Sequence, residues 1–200
     1  MRPLFFVSIA FLAPVLSAQI YTVSTVAGST RLLDGGPAAS APLRSPIAVV
    51  TDPAGNLYIA DTADNRVRKV TPQGVISTIC GTGLPGFSGD RGKATAAALS
   101  APASLAIDTA GNLYIADEGN YRVRRISTDG TITTVAGNGG GGFAGDGGPA
   151  TQAQLEPLAV AVDNKGILYI SDLANSRIRK VDTQGIITTI AGSKIGRAHV

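Results

Sequence analysis

The chain has 200 residues, 44% of them hydrophobic and 16% charged, with 25 glycines, one cysteine and one histidine. That inventory excludes a disulfide framework and a Cys/His zinc site, and with His199 standing at the extreme C-terminus it excludes a Ser-His or Cys-His catalytic pair. The formal charge of +3 rests on Arg2, Lys194 and Arg197 near the two ends; without them acids and bases balance, which removes the case for a nucleic-acid partner.

The N-terminus reads as a leader. Arg2 precedes an apolar run from Leu4 to Leu16 broken only by Ser8, and Leu16-Ser17-Ala18 supplies the small residue a signal peptidase requires. Residues 1–18 are therefore expected to be a signal peptide cut after Ala18. The run is too short to be a membrane span, and the mature protein is expected to be secreted or periplasmic. Residues 21–28, Tyr21-Thr22-Val23-Ser24-Thr25-Val26-Ala27-Gly28, form a lone strand pattern.

The next segments form a unit that is written three times. Leu57-Tyr58-Ile59-Ala60-Asp61 followed by Arg66-Val67-Arg68-Lys69-Val70 recurs at Leu113 to Ile126 and at Leu168 to Val181. A period of about 55 residues means one supersecondary unit copied. Within each copy a small and β-branched run such as Ile47-Ala48-Val49-Val50 leads through a tight turn, Asp52-Pro53-Ala54-Gly55, into Leu57. A fourth strand closes the unit at Val75 to Gly81, Thr131 to Gly137 and Ile186 to Gly192. Four strands per repeat predict all-β blades of a β-propeller, about residues 45–83, 101–139 and 157–192. The lone strand repeats only the fourth strand of a unit, so three blades plus one N-terminal strand are present. Cys80 takes the place of Ala136 and Ala191 and is expected to be a small core residue. Helix is expected only as a turn or two near 94–99 and 150–155.

A glycine-rich connection is copied as well, Gly86-Phe87-Ser88-Gly89-Asp90 against Gly142-Phe143-Ala144-Gly145-Asp146-Gly147-Gly148-Pro149, with a shorter version at Leu33 to Ala39. With these loops, the Gly111-Asn112-Leu113-Tyr114-Ile115-Ala116-Asp117 core and the Arg66-Val67-Arg68-Lys69-Val70 strand, residues 19–193 resemble the NHL-repeat family in its exported bacterial, TolB-like form. The histidine of that family's name is replaced by Asn65, Tyr121 and Ser176. The resemblance implies a six-bladed ring of which this chain holds half, further blades in the full-length protein, and a protein- or glycan-binding module. Related propellers include lactonases and lyases, so a hydrolase or lyase with catalytic residues in other blades is the alternative reading. Residues 194–200 continue no repeat and are expected to be a non-native tail, since Ile195-Gly196-Arg197-Ala198-His199-Val200 is what a common sequencing adapter encodes.

No cofactor is expected. Gly137 to Gly142 and Gly81 to Gly86 satisfy GxGxxG, but neither opens a helix in a βαβ unit. Gly86-Phe87-Ser88-Gly89 misses the spacing of a nucleophile elbow, so no catalytic residue is assigned, and the sequence leans against an enzyme. The inner strands offer no acid or imidazole for a metal. The repeated arginines are expected to snorkel and pair with blade-edge aspartates. Antiparallel order puts the second-to-third-strand turns and the glycine-rich connections on one side of the disc, and this side is the expected ligand-binding face. Its candidates are Asp61, Asp64, Asn65, Asp90, Asp117, Glu118, Asn120, Tyr121, Asp146, Asp172 and Asn175. The acids that recur in every blade also have a structural reading, as caps for turns and acceptors for arginine or backbone N–H groups.

Overall fold

The computed structural model describes residues 33–193; the expected leader, the lone strand at 21–28 and the tail at 194–200 lie outside the described residues. Three four-stranded antiparallel meanders follow one another. The first holds β1 (Pro46–Thr51), β2 (Leu57–Asp61), β3 (Arg66–Val70) and β4 (Ile76–Cys80). The second holds β5 (Pro102–Ile107), β6 (Leu113–Asp117), β7 (Arg122–Ile126) and β8 (Ile132–Ala136). The third holds β9 (Pro157–Val162), β10 (Leu168–Asp172), β11 (Arg177–Val181) and β12 (Ile187–Ala191). These are propeller blades. Each opens on a proline, which lacks an N–H and suits the first residue of an edge strand.

The strand period of two explains why both faces of a blade are apolar. In β6, Leu113 and Ile115 join Ala60, Val67 and Cys80 of the blade before. Their neighbours Tyr114 and Ala116 join Val160, Leu168 and Ile170 of the blade after. Small residues at Ala60, Cys80, Ala116 and Ala136 let successive sheets approach closely, and each fully buried Leu or Ile contributes about 1.5–3 kcal/mol. Cys80 is wholly buried as expected, and burial pushes its thiol up to about 12.

Each fourth strand is followed by a glycine whose backbone conformation and crowding disfavour any side chain. Gly81, Gly137 and Gly192 have φ of 95°, 88° and 84°, and a Cβ on them would lie 2.2, 2.2 and 2.1 Å from the carbonyl oxygens of Asn65, Tyr121 and Ser176.

The structure corrects three expectations. First, Arg68, Arg124 and Arg179 pair with aspartates as expected but do not snorkel; all are fully buried, because carboxylates from two other elements meet each guanidinium. Second, the glycine-rich connections do not stay on one side of the disc. Their second halves climb the outside of the next blade: Arg91 N–H donates to Ile132 O (2.7 Å) and Ile132 N–H to Gly92 O (3.0 Å), and the same ladder joins Gly35 and Gly36 to Ile76 and Gly147 and Gly148 to Ile187. The first residues of the outer strand of each described blade are thereby paired. Third, besides the expected 3-10 turns at Ala94–Ala96 and Ala150–Gln152, others fill the connections at Thr62–Asp64 and Glu118–Asn120. They end at Asn65 (φ 51°) and Tyr121 (φ 54°), with Ser176 (φ 52°) at the matching place in blade three. This left-handed conformation favours Asn and His among non-glycine residues, a preference that Asn65 meets and Tyr121 and Ser176 do not.

Candidate binding face

Most of the candidate residues are internal struts. Asp61, Asp117 and Asp172, the last residues of β2, β6 and β10, are 1%, 0% and 0% exposed. Their oxygens accept from the backbone N–H groups of Arg44, Ser100 and Glu156, which fixes the chain as it enters each first strand. From the other side, Arg124 reaches Asp117 at 3.4 Å and Arg179 reaches Asp172 at 3.2 Å. Asp90 and Asp146, carried by the connections, complete the two triads at 2.7 Å from Arg124 and Arg179. Asp34 does the same for Arg68 at 2.6 Å. The structural reading of the repeated acids thus describes their contacts.

Environment splits the carboxylates. Burial raises Asp117 above the ordinary aspartate value despite its three donors, Ser100, Asn120 and Arg124, and burial together with the neighbouring charge of Asp64 raises Asp61. At Asp34 and Asp146 partial burial is outweighed by hydrogen bonding from Thr78 and Thr189 and by the arginine charges, and both are lowered.

The turn residues are committed too. Asn120 donates to Asp117 Oδ2 (2.8 Å) and to Gly86 O of the preceding connection (2.8 Å); Asn175 donates to Asp172 Oδ1 (2.6 Å) and to Gly142 O (3.1 Å). Asn65 Oδ1 accepts from Ala101 N–H across the blade boundary at 2.9 Å. Asp64, at the position of Asn120 and Asn175, pairs instead with Arg66. Of the sequence candidates only Glu118 and Tyr121, both half-buried, have side chains not absorbed in these struts.

What the turn face does expose came from residues outside the candidate set. Leu84 is 73% exposed, Phe87 44% and Phe143 40%. The guanidinium of Arg122 lies 3.8 Å from the centroid of Phe87, and that of Arg177 lies 3.7 Å from Phe143. Arg122 is itself held by the carbonyls of Asn120 (3.0 Å) and Asn138 (2.7 Å). Beside it opens a cleft of about 380 Å³ lined by Phe87, Asp90, Arg91, Arg122, Thr133 and Asn138 among others. A signal was present in the sequence: Phe87 and Phe143 recur in register with the glycine-rich loops. Among the described residues no group of three or more His, Cys, Asp or Glu is placed to hold a metal, and no helix is long and apolar enough to cross a membrane.

A family model described as the teneurin NHL domain matches residues 38–127, 80–141 and 134–199. The chain is similar to Teneurin-1 of Mus musculus, 41% identical over 98 residues. That match takes in 42% of this chain and 4% of the mouse protein, so the chain spans a small part of its curated relative. Among solved structures it is similar to a protein of unknown function from Bacteroides thetaiotaomicron VPI-5482, with TM-score 0.57, 27% identity, and coverage of 68% of this chain and 33% of that one. A chain in a nidogen/laminin complex matches with TM-score 0.56 and 18% identity, covering 78% of this chain and 52% of its own, a likeness of fold.

Proposed function

We propose that this chain, which belongs to the NHL-repeat family through its match to the teneurin NHL domain, is part of an exported six-bladed propeller that binds a protein partner through the face bearing the second-to-third-strand turns. The observation that carries this reading is the division of labour on that face. The repeated acids are buried in struts, while Leu84 stands exposed and Phe87 and Phe143 stand exposed under stacked arginines. Exposed aromatic and arginine side chains on rigid supports are the groups that dominate protein interfaces. The opposite face carries four-residue turns such as 163–166, whose carboxylate Asp163 is occupied by the backbone of Lys165 and Ile167, and its cleft of about 480 Å³ beside Gly55, Pro72 and Gly74 is lined by no aromatic side chain. The solved structure of a nidogen/laminin complex supports the same use of a similar fold.

The test immobilises the chain and screens it against a panel of purified extracellular protein domains and, separately, a glycan array. Protein binders are expected whose affinity drops at least about tenfold with Leu84→Asp or Glu118→Lys and is unchanged by Asn164→Ala with Lys165→Ala. Binders found only on the glycan array would replace the protein reading with the carbohydrate one. Loss of binding only from the Asn164 and Lys165 pair would show that the opposite face is the working one.

A further inference from the structure

The connection into blade two departs from its two copies at the positions where it pairs with the blade. The copies read Gly35-Gly36-Pro37 and Gly147-Gly148-Pro149; here the chain has Arg91-Gly92-Lys93. Arg91 is held at φ 66°, where Gly35 and Gly147 both stand at 82°, so a long charged side chain occupies a left-handed position that the copies give to glycine. Lys93 lies at φ −66° and ψ 128°, the conformation that Pro37 (−61°, 126°) and Pro149 (−59°, 127°) take by virtue of their rings. The fold therefore asks for neither cation. Both are exposed, and among the described residues neither enters an ion pair.

Each of the two lines a cleft of about 380 Å³. Arg91 shares the first with Arg122 and Phe87; Lys93 shares the second with Lys69 and Tyr58. Arg122 lacks a counter-charge as well: its blade-one counterpart Arg66 pairs with Asp64, whereas Arg122 meets only the carbonyls of Asn120 and Asn138. Lys69 Nζ lies 5.6 Å from the centroid of the Tyr58 ring. One acid stands in each cleft. Asp90 is already paired with Arg124, and Asp129 accepts from Ser127 Oγ (2.6 Å) and Thr131 N–H (2.9 Å). Every residue lining the two clefts lies between Tyr58 and Thr151, away from both ends of the described chain.

We infer that an acidic, extended segment of a protein partner lies along this connection, one carboxylate taken by Arg91 with Arg122 and the next by Lys93 with Lys69. The inference rests on the protein-binding reading above and names the chemistry of its partner, carrying the contact from the turn face onto the outside of blade two. A guanidinium stacked on Phe87 and bonded to two carbonyls still has N–H groups left, and a planar carboxylate matches them. Alternate side chains of an extended segment stand on one side about 7 Å apart, close to the spacing of residues 91 and 93 along the connection. The fixed acid in each cleft acts against a polyanion charged at every unit, such as a nucleic acid, while a peptide brings N–H donors beside its carboxylates.

Three fluorescein-labelled probes are titrated against the chain by anisotropy: an octapeptide alternating Glu with Ser, the same peptide with Gln for every Glu, and a heparin hexasaccharide. The Glu peptide is expected to bind at least about tenfold more tightly than the Gln peptide at about 50 mM salt and to lose most of that advantage at about 0.5 M. The double variant Arg91→Gly with Lys93→Pro writes in the residues of the other two connections and keeps the circular dichroism of the parent. It is expected to bind the Glu peptide at least about tenfold more weakly and the Gln peptide as the parent does. Equal affinity of parent and double variant, or of the Glu and Gln peptides, would overturn the inference. Heparin bound without either peptide would overturn it too and give the clefts to a sulfated glycan. Panel proteins weakened by Leu84→Asp but indifferent to the double variant would sink this inference and leave the wider protein-binding reading standing. A Glu peptide bound by the parent alone, beside a panel without binders, would support the site and count against the turn face.

Discussion

Arg124 shows how a cation is kept out of water in this fold. Its guanidinium donates to Asp90, Asp117 and the carbonyl of Ser88, so charge and hydrogen-bonding capacity are met together. The two carboxylates are not equivalent, since Asp117 is fully buried while the Asp90 side chain is 33% exposed. Arg124→Met is therefore expected to destabilise the chain by about 3–5 kcal/mol, because it strands a buried carboxylate, whereas Asp90→Asn costs about 1–2 kcal/mol; urea unfolding at neutral pH measures both. Blade one carries a milder form of the same defect. Asp61 Oδ2 has no hydrogen-bond partner and Asp64 stands where Asn120 and Asn175 donate an amide. Because Asp61 is raised in the fold, its favourable contribution is complete below the ordinary value of 3.8 and is lost as pH rises through the raised one. Asp64→Asn supplies the missing donor and removes a like charge. It is expected to stabilise the chain by about 0.5–1.5 kcal/mol at pH 7 and by less near pH 3.5, read from denaturation curves at the two values. Equal stability at pH 7 would show that Asp61 finds its compensation elsewhere.

At the scale of the element, the glycine ending each fourth strand is the firmest constraint. Gly137→Ala meets both a positive φ and a backbone carbonyl at 2.2 Å, while Gly130→Ala meets a positive φ of 83° in open space. The first is expected to cost more than about 3 kcal/mol and the second about 1 kcal/mol, compared by thermal melting. The strands themselves were legible in the sequence because Leu113-Tyr114-Ile115-Ala116 is a short apolar run copied in register in all three units between unmistakable turns. The path of the connections was not, because it depends on pairing between Asp34 and Arg68, or Asp90 and Arg124, 34 residues apart with no local signal. The candidate face suffered for the same reason. Asp117 and Asn120 read as polar loop residues until the arginine that buries one and the connection that receives the other are in place. For Arg124 the aspartate partners were foreseeable from the repeats, but its full burial was not, since no pattern within β7 shows that two carboxylates will enclose it.

Over the whole molecule, protection should follow the number of covered faces. Among the described residues blade two is packed on both sides and blades one and three on one. Amide hydrogen exchange is expected to be slowest in β6 and β7 and at least about tenfold faster in the corresponding strands β10 and β11. Uniform protection would mean that the blades unfold as one unit. The climbing connections have a consequence for how such a chain is made. Each outer strand is sealed by residues that precede it, at separations of 34, 34 and 33 for the pairs that anchor blades one, two and three. A blade leaving the ribosome thus has its anchoring carboxylate already synthesised when its own arginine emerges, and it can close without waiting for anything downstream. Synthesis and folding run in the same direction, one blade at a time, and each finished blade presents a fresh apolar surface on which the next is built.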